Sequence, residues 1–443
     1  MTTSKAEAEI EWIRSFLFAE IVKNQHFRED LAIESDKNEN VKLLDVQVKF
    51  IGAEEAFMLT VCYRAIITLA QGDSGPKTTT IIVKKTPNLP QETFDSIQFG
   101  ALFGNEIFTY NEIIPSIEAF AQQTFNIPRF YYGDLKKNSA IVVLQDFGEK
   151  NWRVAKQKVN LSLAHALVAM KELGTFHGIG FALKHKKPAE FERLTKHLKE
   201  PRYDVVEMHP EWRLITEFSA DRIELATQKY QPAVDKEFLS KFQKMIRNYI
   251  EFGKRMVAPV EPLSTLCHGD YLRNNIAFKY AKVNGSEEPI EALMFDLQTM
   301  RVSSPMIDFT TYLSLSAYTE VRHKHFDEIF EQYYNQLVGS FKRIAQETEI
   351  PDYLSRDSLL REYGRVMPLG VSIASHFLMQ LVEPNTEAMG DMLIRQFTPE
   401  EVRDDTFKRG GEELDRETSH QVKELYDRVK KDNIDIFKGF DYI

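Results

Sequence analysis

Two cysteines, Cys62 and Cys267, are all that 443 residues contain. That excludes a disulfide framework and points to a reducing compartment. No stretch of about 18 uncharged apolar residues occurs, so no membrane span is expected. The opening MTTSKAEAEIEWIRSFLFAEIV is broken by Glu7, Glu9, Glu11 and Arg14. It has neither the basic start nor the unbroken apolar core of a signal peptide. It reads as an amphipathic helix, and the cytoplasm is the expected location. Positive charge is also short: 56 Lys and Arg stand against 66 Asp and Glu, for a formal net charge of −10. General nucleic-acid binding needs a basic footprint and is not expected, although a local basic pocket for phosphates is compatible with this balance. Internal repeats and low-complexity tracts are absent as well.

What is present is ordinary globular composition, 43% hydrophobic and 28% charged, which supports a sizeable core in a two-lobed chain. Residues 1–45 read as a helix followed by the polar connector DKNEN. From Val46 the texture turns to strand. FMLTVCYRAIITLA is rich in β-branched and aromatic residues, QGDSGPK is a turn, and TTTIIVKK is a second strand stopped by Pro87. Within residues 92–122, Phe99, Leu102, Phe103, Ile107, Tyr110 and Ile114 recur three or four apart, which is helical spacing. Arg129 to Gly133 and Asn138 to Gln145 are short strands around the polar tip DLKK.

After Trp152 the pattern is mainly helical, with segments at 161–183, Trp212 to Tyr230 and Glu237 to Met256. NNIAFKY and IEALMFD then read as two strands joined by VNGSEE, whose Asn-Gly pair favours a hairpin. From Pro305 onward the chain is helical again. The expected fold class is α+β. A small β-rich lobe covers 46–150, with a hinge near 144–148. A large helical lobe covers 151–443 and carries an inserted hairpin.

The chemistry concentrates between Cys267 and Gln298. His268-Gly269-Asp270 is followed five residues later by Asn275, and Asp296 stands at a strand end in MFDLQ. Phosphoryl transfer needs a carboxylate beside the attacking hydroxyl and oxygen ligands that hold Mg²⁺ on the nucleotide phosphates. An Asp and an Asn five apart can share one catalytic loop, and a second Asp can come from the adjacent hairpin. His268 reads as a residue that shapes this loop rather than as a base. The same chemistry needs an early lysine and a glutamate on the next helix. Lys84 and Glu106 stand in that order, with Lys85 as the rival lysine, and strand alternation allows only one of the two into a cleft.

The set VKKTP, FGNEIFTYNEIIP, CHGDYLRNNIAF, MFDLQ and RVSSPMIDF resembles the ecdysteroid kinase-like family, which groups with choline kinases and aminoglycoside phosphotransferases. The resemblance implies a protein-kinase-like fold using ATP and Mg²⁺. It implies that Lys84 and Glu106 form the phosphate-positioning ion pair. It makes Asp270 the catalytic base and Asn275 and Asp296 the metal ligands, and it gives Asp308 a structural role. LQDF, with Gln145, Asp146 and Phe147, resembles the hinge where backbone groups meet adenine; the family usually has Glu at the position of Gln145. Gly52 falls in the phosphate-covering loop, which here reads Gly52-Ala53-Glu54-Glu55-Ala56-Phe57. The family usually has Gly, an acid and Asn before an aromatic there.

From Asp296 the chain reaches SSPMIDF within about a dozen residues, which leaves no long activation segment of the kind a protein kinase uses. A small-molecule hydroxyl is therefore the expected acceptor, and the resemblance implies an ecdysteroid or another lipophilic alcohol. The glycine-poor, glutamate-containing loop motivates a second reading, a ligand-binding or interaction module of the same fold without turnover. A third, a choline- or aminoglycoside-type kinase, would require an acidic pocket for a cation.

Overall fold

The computed structural model describes every residue except 1–2, 34–40, 53–58, 73–74, 206 and 386–388. Five antiparallel strands open it: β1 (Val41–Phe50), β2 (Val61–Gln71), β3 (Lys77–Lys85), β4 (Phe130–Lys136) and β5 (Ser139–Gln145). Their spatial order is β1-β2-β3-β5-β4. Alternation along the strands decides what each face meets. Ile81 and Val83 of β3 and Ile141 and Val143 of β5 share a core with Ile13, Leu17, Ile21 and Phe27 of the N-terminal helical segment. Val142 and Leu144 point the other way and pack with Phe99 and Phe103 of the Phe99–Phe108 helix. The sheet is thus covered on both faces, by the chain's start on one and by the glutamate-bearing helix on the other.

β1 begins at Val41, inside the segment that the sequence assigns to a polar connector. It is an edge strand in which only Val46 is fully buried. Its alternation is therefore too weak to stand out from the residues before it. The predicted helix over Glu237 to Met256 is two helices, Lys236–Arg247 and Tyr249–Val257, broken at Asn248 with φ −85° and ψ 65°.

The larger lobe is built on the Leu163–Lys186 helix packed against the Phe326–Ala345 helix, with Phe176, Ile179, Tyr333 and Leu337 buried in one continuous core. The Arg356–Val382 helix is long and apolar enough to cross a membrane, but 78% of its most apolar window is buried inside the protein, as in a core helix. Five further strands belong to the larger lobe: β6 (Arg153–Val154), β7 (Thr265–Cys267), β8 (Ile276–Val283), β9 (Ser286–Met294) and β10 (Arg301–Ser303). β8 and β9 form the anticipated hairpin, β6 pairs with β8, and β10 pairs with β7. Strands of two or three residues carry no readable period, which is why β6, β7 and β10 escape the sequence.

Candidate active site

On β3 the residues 81, 83 and 85 face the N-terminal helices, while Ile82 and Lys84 face the opposite side and line a cavity of about 810 Å³ between the lobes. Lys85 accordingly leaves the cavity. Its Nζ lies 2.9 Å from both carboxylate oxygens of Glu9 and 4.5 Å from the centre of the Trp12 ring. Lys84 Nζ instead donates to Glu106 Oε2 at 2.7 Å, Asp296 Oδ1 at 2.5 Å and Gln298 Oε1 at 3.1 Å. All three donors of the ammonium are used. Burial works against its charge, but Asp296 and Glu106 outweigh that and raise its pKa.

Glu106 is fully buried. Burial pushes its carboxyl up to about 7, against the pull of Lys84 and with the help of Asp296. A group raised in this way stabilises the fold fully below its unfolded value near 4.5, and that contribution is lost as pH rises through about 7. Glu106→Gln should therefore flatten the pH dependence of stability between those two values, as read from urea midpoints without nucleotide.

The loop after β7 is held by an acid from outside it. Asp308, at the start of the Met306–Ser316 helix, accepts from His268 N at 2.6 Å and Gly269 N at 2.7 Å. It also lies 3.1 Å from His177 Nε2. Burial alone would raise the Asp308 carboxyl, but the His177 hydrogen bond and charge, with His268 and the Gly269 amide, hold it below the usual value. His268 is fully buried and shapes the loop: Nε2 meets Phe295 O at 2.9 Å, and Nδ1 accepts from Asp270 N at 3.3 Å. Gly269 has φ +82°, and a Cβ there would lie 2.1 Å from Thr299 O. Only glycine meets both demands.

Asp270 therefore enters the cavity on a rigid turn. Its Oδ2 accepts from Asn275 Nδ2 at 3.2 Å and its Oδ1 from Arg202 Nη2 at 3.1 Å. Asn275 Nδ2 also reaches Asp270 O at 2.8 Å. Asn275 ends the turn Arg273–Asn275, and β8 follows directly. Ile276 pairs with Met294, and Phe295 N donates to Asn275 O at 3.0 Å. This pairing sets Asp296 beside Asn275. Asp296 is left-handed, with φ 63°, a conformation Asp tolerates better than most side chains.

The metal that the sequence anticipates fits these residues. Asn275 spends its amide N–H groups on Asp270, which leaves its side-chain Oδ1 without a partner among the described residues, and Asp296 adds a carboxylate that is 25% exposed. Oxygen donors of this kind suit Mg²⁺.

Gln145, Asp146 and Phe147 line the opposite wall. Gln145 N donates to Arg129 O at 2.8 Å and Asp146 N to Thr80 O at 3.2 Å, so both amides are occupied within the small lobe. Among the described residues Phe147 N has no partner, and its ring lies 5.1 Å from that of Phe295. The Asp146 side chain accepts from Gly148 N and pairs with Arg64 at 3.1 Å. Gln145 reaches Asp30 Oδ2 at 2.8 Å through its side chain. Gly52 is exposed, and among the described residues a side chain there would meet nothing within 4 Å. Ala53 to Phe57, the rest of that loop, lie outside the described residues.

The remaining wall comes from residues that the sequence did not single out: Arg202, Trp212, Tyr249, Ile373, His376 and Phe377, among others. Burial, then Arg202, pushes the His376 imidazole down to about 4, so it is neutral near pH 7. Among the described residues this part of the wall carries no carboxylate besides Asp270. Two more residues were missed. Gln298 is the third partner of Lys84. Asn105, beside Glu106, bridges to Lys199 O at 2.7 Å and Gln298 O at 3.3 Å.

Comparison with known proteins gives the following. The sequence model of the ecdysteroid kinase-like family matches residues 54–346. A search of curated proteins returns no match. Among solved structures, the AMP-bound complex of a spectinomycin phosphotransferase is 14% identical, covers 88% of this chain and 98% of its own, and has a TM-score of 0.33. An aminoglycoside-3'-phosphotransferase of type VIII is 14% identical, covers 71% and 93%, and has a TM-score of 0.30. An aminoglycoside phosphotransferase from Streptomyces rimosus, in complex with ADP and streptomycin, is 12% identical, covers 69% and 90%, and has a TM-score of 0.24.

Proposed function

The chain belongs to the ecdysteroid kinase-like family, and on that premise we propose that it is an ATP-dependent kinase acting on a hydroxyl of a small lipophilic alcohol, such as an ecdysteroid-like steroid. The observation that carries this reading is one cavity holding Lys84, Asp296 and Asn275 against the hinge together with Asp270 against a largely apolar wall. Lys84, held by Glu106, orients the nucleotide phosphates. Asn275 and Asp296 would hold Mg²⁺, which neutralises phosphate charge as it develops. Asp270 accepts the proton of the acceptor hydroxyl, and its two hydrogen-bond partners fix the carboxylate for that task.

The acceptor side supports an uncharged, apolar molecule. Trp212, Ile215, Tyr249, Ile373, Phe377 and Met392 supply aromatic and aliphatic surface, and Thr216, His376 and Gln380 offer a few polar groups. Sites for small apolar ligands have this composition. A choline- or aminoglycoside-type substrate would call for carboxylates there, and the described wall offers an arginine instead. The cytoplasm, with its ATP supply and reduced Cys62 and Cys267, is the compartment that suits this reading.

Nucleotide binding is tested by thermal shift of the full chain. Mg-ATP should raise the unfolding temperature, and ATP without Mg²⁺ should raise it less, because binding to the folded state stabilises it by mass action. No shift at millimolar Mg-ATP would count against the kinase reading and in favour of a binding module without turnover.

A further inference from the structure

Arg202 has a setting that holding Asp270 in place does not explain. It sits in the segment between the helices Pro188–Thr195 and Pro210–Tyr230, among residues that line the acceptor side. Among the described residues its guanidinium has one protein partner, Asp270 Oδ1, met through Nη2 at 3.1 Å. Nε and Nη1 have none, although the side chain is only 26% exposed. A guanidinium has five N–H groups in a planar fork, and the unpartnered ones here open to the cavity, where a ligand can meet them. His376, which lines the same cavity, is neutral near pH 7.

The segment is also anchored from both lobes. Glu200 Oε1 accepts from Arg202 N at 2.9 Å and Tyr203 N at 3.2 Å, while Glu200 Oε2 pairs with Arg301 of β10 at 3.0 Å. Lys199 exchanges hydrogen bonds with Asn105, at 2.9 and 2.7 Å, on the helix that carries Glu106. A surface arginine would not need such fixing. This one is placed by the helix that sets Lys84 and by the strand paired with β7.

We propose that Arg202 is a catalytic residue that takes hold of the transferring phosphoryl group from the acceptor side, opposite Lys84. The proposal rests on the kinase reading above. In the transfer the acceptor oxygen bonds to the γ-phosphorus as its proton passes to Asp270. The bond from phosphorus to the oxygen shared with the β-phosphate breaks, and its electron pair leaves with ADP. The base must lie about 3 Å from the attacking oxygen, which is itself about 3–3.5 Å from phosphorus. A fork that touches the base therefore reaches the equatorial phosphoryl oxygens. Its Nε and Nη1 donors fill there, on the charge that the transition state spreads over those oxygens.

The test is calorimetry of the full-length protein with Mg-ADP, with and without aluminium fluoride, which imitates the phosphoryl group in flight. In the wild type, fluoride should tighten Mg-ADP binding by at least about 100-fold. Arg202→Ala should keep the affinity for Mg-ADP alone and lose most of that gain. Arg202→Lys, which retains charge beside Asp270 and guards against misfolding of the alanine variant, should lose a smaller share. The loss should persist when Arg202→Ala is made on an Asp270→Asn background. Retention of the full gain by both Arg202 variants would overturn the proposal. So would a loss that vanishes in the Asp270→Asn background, because Arg202 would then act only through Asp270. A wild type that binds Mg-ADP but gains nothing from fluoride also overturns it, with the kinase reading intact. A wild type that binds no Mg-ADP overturns both.

Discussion

Asp270→Asn should lower kcat by about 10²- to 10⁴-fold, the range of a positioned general base, and leave Mg-ATP binding unchanged. The substitution preserves shape and one of the two accepted hydrogen bonds, but its NH2 cannot accept from Arg202 or Asn275 at the other position and it cannot take the proton of the acceptor. The loop around it should survive, since Asp308 holds His268 N and Gly269 N without help from Asp270. The Asn275 bond to Asp270 O also uses backbone and remains. Stability should therefore change little, and the thermal shift with Mg-ATP should match the wild type. A fall in nucleotide affinity as large as the fall in kcat would mean that Asp270 acts through the metal or phosphate site instead.

Lys84→Met should be the most damaging change to the phosphate side, with kcat/KM for ATP falling by about 10²-fold or more and stability falling by about 3–5 kcal/mol near pH 8. The cause is visible in its partners. Methionine fills the space but leaves the fully buried Glu106 and the neighbouring Asp296 without the cation that now joins them. Removing Lys84 also removes the pull that lowers the Glu106 pKa, so Glu106 should take up a proton. The stability loss should then be smaller at pH 5, where that proton comes at little cost. Lys84→Met combined with Glu106→Gln should recover much of the stability and none of the activity. Chemical denaturation at the two pH values, alongside ATP kinetics, reads both halves.

These two changes concern residues that sequence spacing already marks. Asp270, Asn275 and Asp296 are legible because the loop and hairpin that assemble them are local: a turn, a strand, an Asn-Gly turn and a returning strand. The choice between Lys84 and Lys85 is a matter of strand parity, and it is settled in space by which face of β3 meets Glu9 and Trp12. Asp308 is different. Its hold on His268 and Gly269 spans about 40 residues of chain, and only the family resemblance suggested a structural place for it. Arg202, Glu200 and Asn105 were invisible for a related reason. KEPRYD has no period and no motif, and its importance comes wholly from long-range contacts to Asp270, Arg301 and the helix before Glu106. The hinge was legible as a place but not in detail. Its amides at Gln145 and Asp146 are occupied by Arg129 and Thr80, partners that lie on neighbouring segments of the small lobe. The acceptor wall, drawn from segments as distant as Trp212 and Phe377, has no sequence signature beyond apolar residues that any core would use.

The central claim, transfer of phosphate to a small lipophilic alcohol, is tested most directly with ATP labelled in its γ-phosphate. The full-length protein, Mg²⁺ and a panel of steroid and plant alcohols are incubated together, and label is sought in the alcohols. Label should appear in at least one alcohol, require Mg²⁺, and fall to background with Asp270→Asn. A protein that saturates with Mg-ATP yet moves no label to any alcohol, or moves it equally well as Asp270→Asn, would contradict the account.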